Sequence, residues 1–232
     1  MEVRLLTPPG VQITSSVRAV VIGPAGQYRW SMDLAPLGRN RYAIEEPIQF
    51  PLEPPEGQWR LFVIVRSPLE VAGEQNLTFV PEPIAFRDLT DVLPPGVDLR
   101  VPLSFWEVVA EGDQWAGTRV WRYGNGEVGL WWAPGPAELL LLNTALVMLE
   151  ATHNPDEPPD VLSVEETEWQ GHTAFLFLED WQGMDGGPAE AIVVQGPDRW
   201  LYVLRMRATD GGSVPRILRQ VRETFVLAEG SD

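Results

Sequence analysis

The sequence predicts two domains, an all-β sandwich followed by an α+β domain in which helices flank an antiparallel sheet. Three observations carry this expectation. Residues 1–90 hold short runs of Val, Ile, Tyr, Phe and Trp punctuated by Gly and Pro, with no helical stretch of useful length. The segment 87–102, "RDLTDVLPPGVDLRVP", contains a Pro-Pro-Gly break and little periodicity. Beyond it, hairpin signals alternate with two helical patterns. The charge changes at the same place: residues 1–96 carry 8 Arg against 11 acids, and residues 97–232 carry 9 Arg against 22. The expected domains are therefore 1–90 and 103–232, joined by a linker at 91–102.

In the first domain the candidate strands are 2–6, 16–23, 27–34, 41–50, 57–66 and 75–80. The run "GQWRLFVIVRSP" alternates with period two. Trp59, Leu61, Val63 and Val65 fall on one face, and Arg60, Phe62, Ile64 and Arg66 on the other. Strands at this spacing suit a β-sandwich. "VRAVVIGPAGQYRW" followed by "PPEGQWRLFVIV" resembles bacterial immunoglobulin-like or macroglobulin-like modules. The disulfide of antibody domains is absent.

In the second domain "RVWRYGNGEVGLWWAP" places Asn125-Gly126 between alternating apolar runs, a strong hairpin signal. "GPAELLLLNTALVMLEATHNP" predicts a helix from Pro136, with Glu138 in its first turn and His153-Asn154-Pro155 as its stop. Its expected stripe is Leu139, Leu142, Leu146 and Leu149. A second hairpin turns at Gln170-Gly171 and a third at Gly196-Pro197-Asp198. "SVPRILRQVRETFVL" predicts a closing helix with Ser213 as N-cap and Pro215 in its first turn. Ile217, Leu218, Val221 and Phe225 should face inward.

"GHTAFLFLEDW", then "AEAIVVQGPDRWLYVLRMRA", then an amphipathic helix ending "RETFVL" resembles the C-terminal half of the PsbP/Mog1-like superfamily. There a Gly-His/Tyr-x-Ala strand begins a hairpin, a later strand carries an aromatic-Tyr-x-Leu pattern, and the last helix ends in a Ser-Phe or Thr-Phe pair, here Thr224-Phe225. The resemblance implies an antiparallel sheet between helices and a non-catalytic accessory or binding role. Oxygen-evolving-complex subunits, small-GTPase regulators and exported lipoproteins belong to that superfamily. Its motifs are packing motifs and assign no binding residue.

Composition narrows the chemistry. The chain has no cysteine, and all 17 basic residues are arginine. Disulfides, thiolate nucleophiles, Schiff-base lysines and a phosphate-loop lysine are thereby excluded. The net charge of −16 offers no basic footprint for nucleic acid or anionic membranes. The longest apolar run, 139–149, is interrupted by Asn143 and Thr144 and is short for a membrane span. "MEVRLLTPPG" shows no basic segment leading into a long apolar stretch. The expected compartment is the cytoplasm if the chain is full length, and extracytoplasmic if an export signal has been removed.

Of the 2 histidines, His172 follows the Gln170-Gly171 turn and lacks a nucleophile motif beside it, so a structural role is expected. His153 should sit past a helix C-terminus, where a partly cationic imidazole is favoured. From Tyr123 to Asp198 there are 14 Asp and Glu and no Arg. This tract has two readings: a solvated acidic face that attracts a basic partner, or Ca²⁺ loops drawing on Asp156, Glu157, Asp160 and Asp185. "EDWQGMDGG" lacks EF-hand spacing. The cluster Arg199, Arg205, Arg207, Arg216, Arg219 and Arg222 is expected to pair with the tract. Trp131 and Trp132 occupy opposite strand faces, leaving one available to a ligand or partner. Asn76-Leu77-Thr78 matches a glycosylation sequon. These features lead to a non-enzymatic, cofactor-free module that binds a protein with a basic surface, through Trp131, Trp132, Glu165, Glu166 and Glu168. The alternative is a small-ligand or Ca²⁺-binding module.

Overall fold

The computed structural model describes residues 2–4, 16–26, 29–38, 40–43, 52–54, 56–66, 69–77, 84–182, 186–196, 199–209 and 212–227. The chain divides into two compact units. One comprises Met1–Phe50 and Pro54–Glu82; the other comprises Pro51–Glu53 and Pro83–Asp232.

Among its described residues the first unit is built of strands, with one 3-10 turn at Pro24–Gly26. Its strands are β1 (Glu2–Arg4), β2 (Val17–Ile22), β3 (Arg29–Asp33), β4 (Ala35–Gly38), β5 (Arg41–Ala43), β6 (Trp59–Arg66) and β7 (Leu69–Leu77). One sheet runs β3-β2-β6-β7 and the other β1-β5-β4. Period-two alternation sets the core: Val17, Ala19 and Val21 meet Trp59, Leu61 and Val63. Leu34 and Tyr42, from the β3–β4 junction and β5, close over them. The expected strands 2–6, 27–34, 41–50 and 75–80 lie partly outside the described residues, as does Thr78 of the sequon.

The second unit contains β8 (Phe86–Asp88), β9 (Val97–Asp98), β10 (Arg100–Pro102), β11 (Trp106–Gly112), β12 (Gly117–Tyr123), β13 (Gly126–Pro134), α1 (Leu142–Glu150), β14 (Asp160–Trp169), β15 (His172–Trp181), β16 (Gly187–Gln195), β17 (Trp200–Ala208), α2 (Arg216–Glu223) and β18 (Val226–Leu227). Seven strands form one antiparallel sheet in the order β11-β12-β13-β17-β16-β15-β14. On one face α2 packs Ile217, Leu218 and Val221 against Leu130, Trp132, Ile192, Tyr202 and Leu204. On the other, Leu140, Ala145 and Leu149 cover Phe175, Phe177, Val193 and Val203. The sheet is thus buried on both sides at its centre and thinly covered at its edges.

Four expectations about this unit are corrected, the last being the cap of its second helix. Residues 91–102 are no linker: Val97, Leu99 and Val101 are buried in the α2-side core. There β9 pairs with β18, and β10 with β8. The Pro-Pro-Gly break hid three alternating apolar residues that a two-sided reading would have found. The first helix starts at Leu142 rather than Pro136. Gly135 N–H bonds to Arg199 O, and Gln195 Nε2 bonds to Pro136 O, which tie the preceding segment to the β16–β17 turn. Leu139 is consequently 78% exposed, and Leu140 takes its place in the core. The first hairpin turns at Gly124-Asn125, because Tyr123 pairs with Gly126. Gly124 has φ +56, the positive value a type II′ turn places at its first central residue.

The Gln170-Gly171 turn forms as expected. Both residues have positive φ, 52° and 82°, as a type I′ turn demands. Pro197 and Asp198 of the third turn lie outside the described residues. Ser213 does not cap α2; Pro215 occupies the N-cap position. The Thr224-Phe225 pair packs as its motif implies. Thr224 Oγ1 accepts from Arg100 N–H at 2.9 Å, and Phe225 is fully buried.

Candidate functional site

Among the described residues, the buried and the β14 carboxylates of the acidic tract form two populations. The inward group is matched. Glu179, on β15, is fully buried and receives Arg205 of β17 through Nε at 2.7 Å and Nη2 at 3.2 Å. His153, just past α1, donates from Nε2 to the same carboxylate at 2.6 Å. Arg205 Nη2 also donates to Thr152 Oγ1 at 2.7 Å. Its guanidinium lies 4.9 Å from the Trp131 ring centroid and 5.1 Å from that of Trp181. Arg207 joins Glu127, and Arg219 and Arg222 both reach Glu190. The expected pairing of the arginine cluster with the acidic tract is therefore built for Arg205, Arg207, Arg219 and Arg222 by strand neighbours and by α2; among the described residues Arg199 and Arg216 form no ion pair with the tract.

Burial opposes charge in this network, and pairing answers it. Desolvation pushes the Glu179 carboxyl up. The hydrogen bond from His153 and the charge and hydrogen bonds of Arg205 outweigh it, so its pKa lies below the usual carboxylate range. Desolvation lowers Arg205, against the opposing pull of Glu179. The His153 side chain is buried, with its ring edge-on to Trp181 at 5.6 Å. The network fastens the C-terminal end of α1 to the sheet. Sequence reasoning placed His153 at a helix end but had no signal joining it to Glu179.

The outward group is unmatched. β14 is the last strand of the sheet and has β15 as its sheet neighbour. From Asp160 to Glu168 every residue is exposed. Among the described residues, Asp160, Glu165, Glu166 and Glu168 have no cation within ion-pair distance. Glu166 pairs with Phe175 and Glu168 with Thr173, so both project on the α1 side; Glu165, opposite Leu176, projects on the α2 side. The strand therefore carries negative charge on both faces.

Asp156 and Glu157 lie in the exposed loop before β14, where Asn154 Oδ1 accepts from Asp156 N–H at 3.1 Å. Among the described residues no three His, Asp or Glu side chains gather to hold a metal ion, and Asp185 lies outside them. His172 opens β15 opposite Trp169, half-buried, as its place after the turn implies.

Trp131 and Trp132 are not available surfaces, contrary to expectation. Trp132 is 2% exposed, and its indole N–H donates to Asp113 O at 3.0 Å. Trp131 is half-buried and packs beneath Arg205. Central β13 is covered on both faces, so opposite faces there do not mean one exposed. Among the described residues the most exposed tryptophan is Trp115, at 61% on the tip of the β11–β12 hairpin, ahead of Trp106 at 42%. Asp113 Oδ1 holds this tip by accepting from Trp115 N–H at 2.7 Å and Ala116 N–H at 3.2 Å. Trp115 stacks on Trp200 with centroids 6.0 Å apart. With Pro94, Pro95 and Gln114 they line a cleft of about 260 Å³.

The second unit is thus an acidic antiparallel α+β module with an open edge strand and a small aromatic cleft. Solved structures similar to the chain include a PsbP protein from the cyanobacterium Synechocystis, at 10% identity and TM-score 0.48, covering 65% of this chain and 97% of that one. A point mutant of Mog1 aligns at 10% identity and TM-score 0.42, covering 62% and 97%. The Ran-binding protein Mog1p of Saccharomyces cerevisiae aligns at 8% identity and TM-score 0.41, covering 63% and 97%. PsbP and Mog1 are the proteins named by the superfamily that the sequence resembles; no immunoglobulin-like module is among these three. None of the three carries an argument about function at these TM-scores. No family model and no curated protein matches the chain. Among the described residues no helix is long and apolar enough to cross a membrane.

Proposed function

We propose that the protein is a non-catalytic accessory or assembly module of two domains, the first an immunoglobulin-like sandwich. Its second domain binds a protein with a basic surface through the acidic tract. One observation supports this most: the tract's inward carboxylates Glu127, Glu179 and Glu190 are matched by arginine, while the four on β14 face solvent without a cation among the described residues. Such an uncompensated field steers a basic partner and speeds encounter. The residues bet on are Glu165, Glu166 and Glu168; Trp131 and Trp132 contribute packing instead. The test immobilises the wild type and a Glu165→Gln, Glu166→Gln, Glu168→Gln variant and compares what each retains from the source lysate. Basic proteins that bind the wild type, elute with salt and are lost from the variant agree with the proposal. Identical retention by both would refute it.

A second reading is favoured by the cleft at Trp115 and Trp200. Its uncharged lining of two prolines, two indoles and an amide suits a small neutral ring rather than an anion or a cation. Here the aromatic platform is Trp115, not the Trp131–Trp132 pair. Titration with neutral sugars, read by Trp200 indole shifts and repeated on Trp115→Ala, tests it; unchanged spectra of the wild type at millimolar ligand would exclude it.

A further inference from the structure

We propose that the outer edge of β14 takes an extended, arginine- or lysine-bearing segment of another protein as an eighth strand of the sheet. This rests on the acidic partner-binding reading and names how the partner is held. The register makes the edge specific. Trp169 and His172 close a two-residue hairpin, where such residues exchange both ladder bonds, and bonding then alternates along the pair. Trp169, Thr167 and Glu165 accordingly bond inward to β15. Glu168, Glu166 and Val164 turn their N–H and C=O groups to the open side, a row of unsatisfied groups that can template another strand.

The side chains select the occupant. A bulge between Val161 and Ser163 interrupts the ladder at one end, which leaves Ser163–Trp169 as the regular run. Leu162 at the bulge is 60% exposed, and Val161 and Val164 are exposed beside it. Like charges directly opposite each other destabilise a strand pair. A second copy of β14 would bring glutamates against glutamates, whereas a basic strand would place cations there. The opposite edge is a poorer candidate. β11 has seven residues, also bulged, and its Glu107 already faces Arg119 at 3.5 Å.

The probe is a synthetic peptide alternating arginine and valine, with a second version N-methylated at the residues whose N–H would bond β14. Binding is followed by titration calorimetry, and by hydrogen exchange at the amides of Val164, Glu166 and Glu168. Glu166→Pro removes one outward donor while leaving the ladder to β15 intact, since edge strands tolerate proline there. The expected result is slowed exchange at those three amides. Affinity should fall at least tenfold on N-methylation, and by a similar factor for Glu166→Pro. Equal binding of both peptides would overturn strand addition; if the Gln triple variant still loses binding, the acidic-surface reading survives. Indifference to all changes would overturn both. Should Glu166→Pro fail to fold, the N-methylated peptide decides. Dimerisation of the wild type through β14 in sedimentation would assign the edge to a second copy and overturn the basic occupant.

Discussion

Glu53 Oε1 accepts a 2.7 Å hydrogen bond from the backbone N–H of Ile217, across 164 positions of sequence. Ile217 is the second residue of α2, in the first turn, where backbone N–H groups lack intrahelical partners. Pro215, at the N-cap position, makes no side-chain cap bond, so a carboxylate from elsewhere in the chain supplies it. A negative group there also meets the positive end of the helix dipole. Glu53→Ala should cost about 1 kcal/mol, read as a fall in denaturant midpoint with unchanged slope. Glu53→Gln should cost less, because the acceptor remains. An unchanged midpoint for Glu53→Ala would show that solvent caps α2 equally well.

Removing one partner of the Glu179–Arg205 pair should be strongly destabilising. Arg205→Met leaves a buried carboxylate without its cation, which costs about 3–5 kcal/mol. Glu179's depressed pKa also sets a pH dependence. A carboxyl lowered in the folded state contributes stability that is complete above its unfolded pKa of about 4.3 and lost as pH falls through the folded value. Below about pH 4 the wild type should therefore lose stability more steeply than Glu179→Gln, and the two curves should converge. Parallel curves from pH 7 to pH 3 would deny Glu179 this part.

What the sequence disclosed follows the reach of its patterns. Trp59, Leu61 and Val63 were legible as a core face because strand alternation is local. The same holds for Ile217, Leu218 and Val221 on a helix, and for the Gln170-Gly171 turn. The site depends on juxtapositions that no period encodes. His153 and Glu179 stand 26 positions apart, and Glu53 and Ile217 stand 164 apart. Nothing local marks Trp115 out from the conspicuous Trp131-Trp132 pair, because exposure depends on what covers a strand. Glu165, Glu166 and Glu168 could be named as a charge run; that they lie on an edge required the strand order.

Gln170 clamps β18 through its side-chain amide. Its Nε2 donates to Phe225 O at 2.8 Å, and its Oε1 accepts from Leu227 N–H at 3.0 Å. It also occupies a left-handed position, φ 52°, which asparagine tolerates. Gln170→Asn keeps the turn but shortens the arm by one methylene. At about 1 kcal/mol per hydrogen bond lost, the cost should be about 2 kcal/mol. Faster amide exchange at Leu227 would mark release of β18, and unaltered exchange there would contradict the clamp.

Gly129 explains how Arg205 is seated. The two residues are paired across β13 and β17. A Cβ built on Gly129 would stand 2.2 Å from Cη2 and 2.3 Å from Cζ3 of Trp131, so the indole lies flat over bare backbone two residues away on the same face. The ring is held there with the Arg205 guanidinium 4.9 Å from its centroid. An added methyl cannot be absorbed by a small shift, because the obstacle is a rigid ring packed against Leu140, Ala145 and their neighbours. Gly129→Ala should cost about 1–3 kcal/mol as overpacking, although alanine suits a strand no worse than glycine. Trp131→Leu removes the obstacle together with the cation–π contact and should be destabilising alone. Combined with Gly129→Ala, it should cost less than the sum of the two single changes, since the clash exists only while the indole is present. Strict additivity in that cycle, measured by denaturant unfolding, would mean that the indole does not rest on Gly129 in solution.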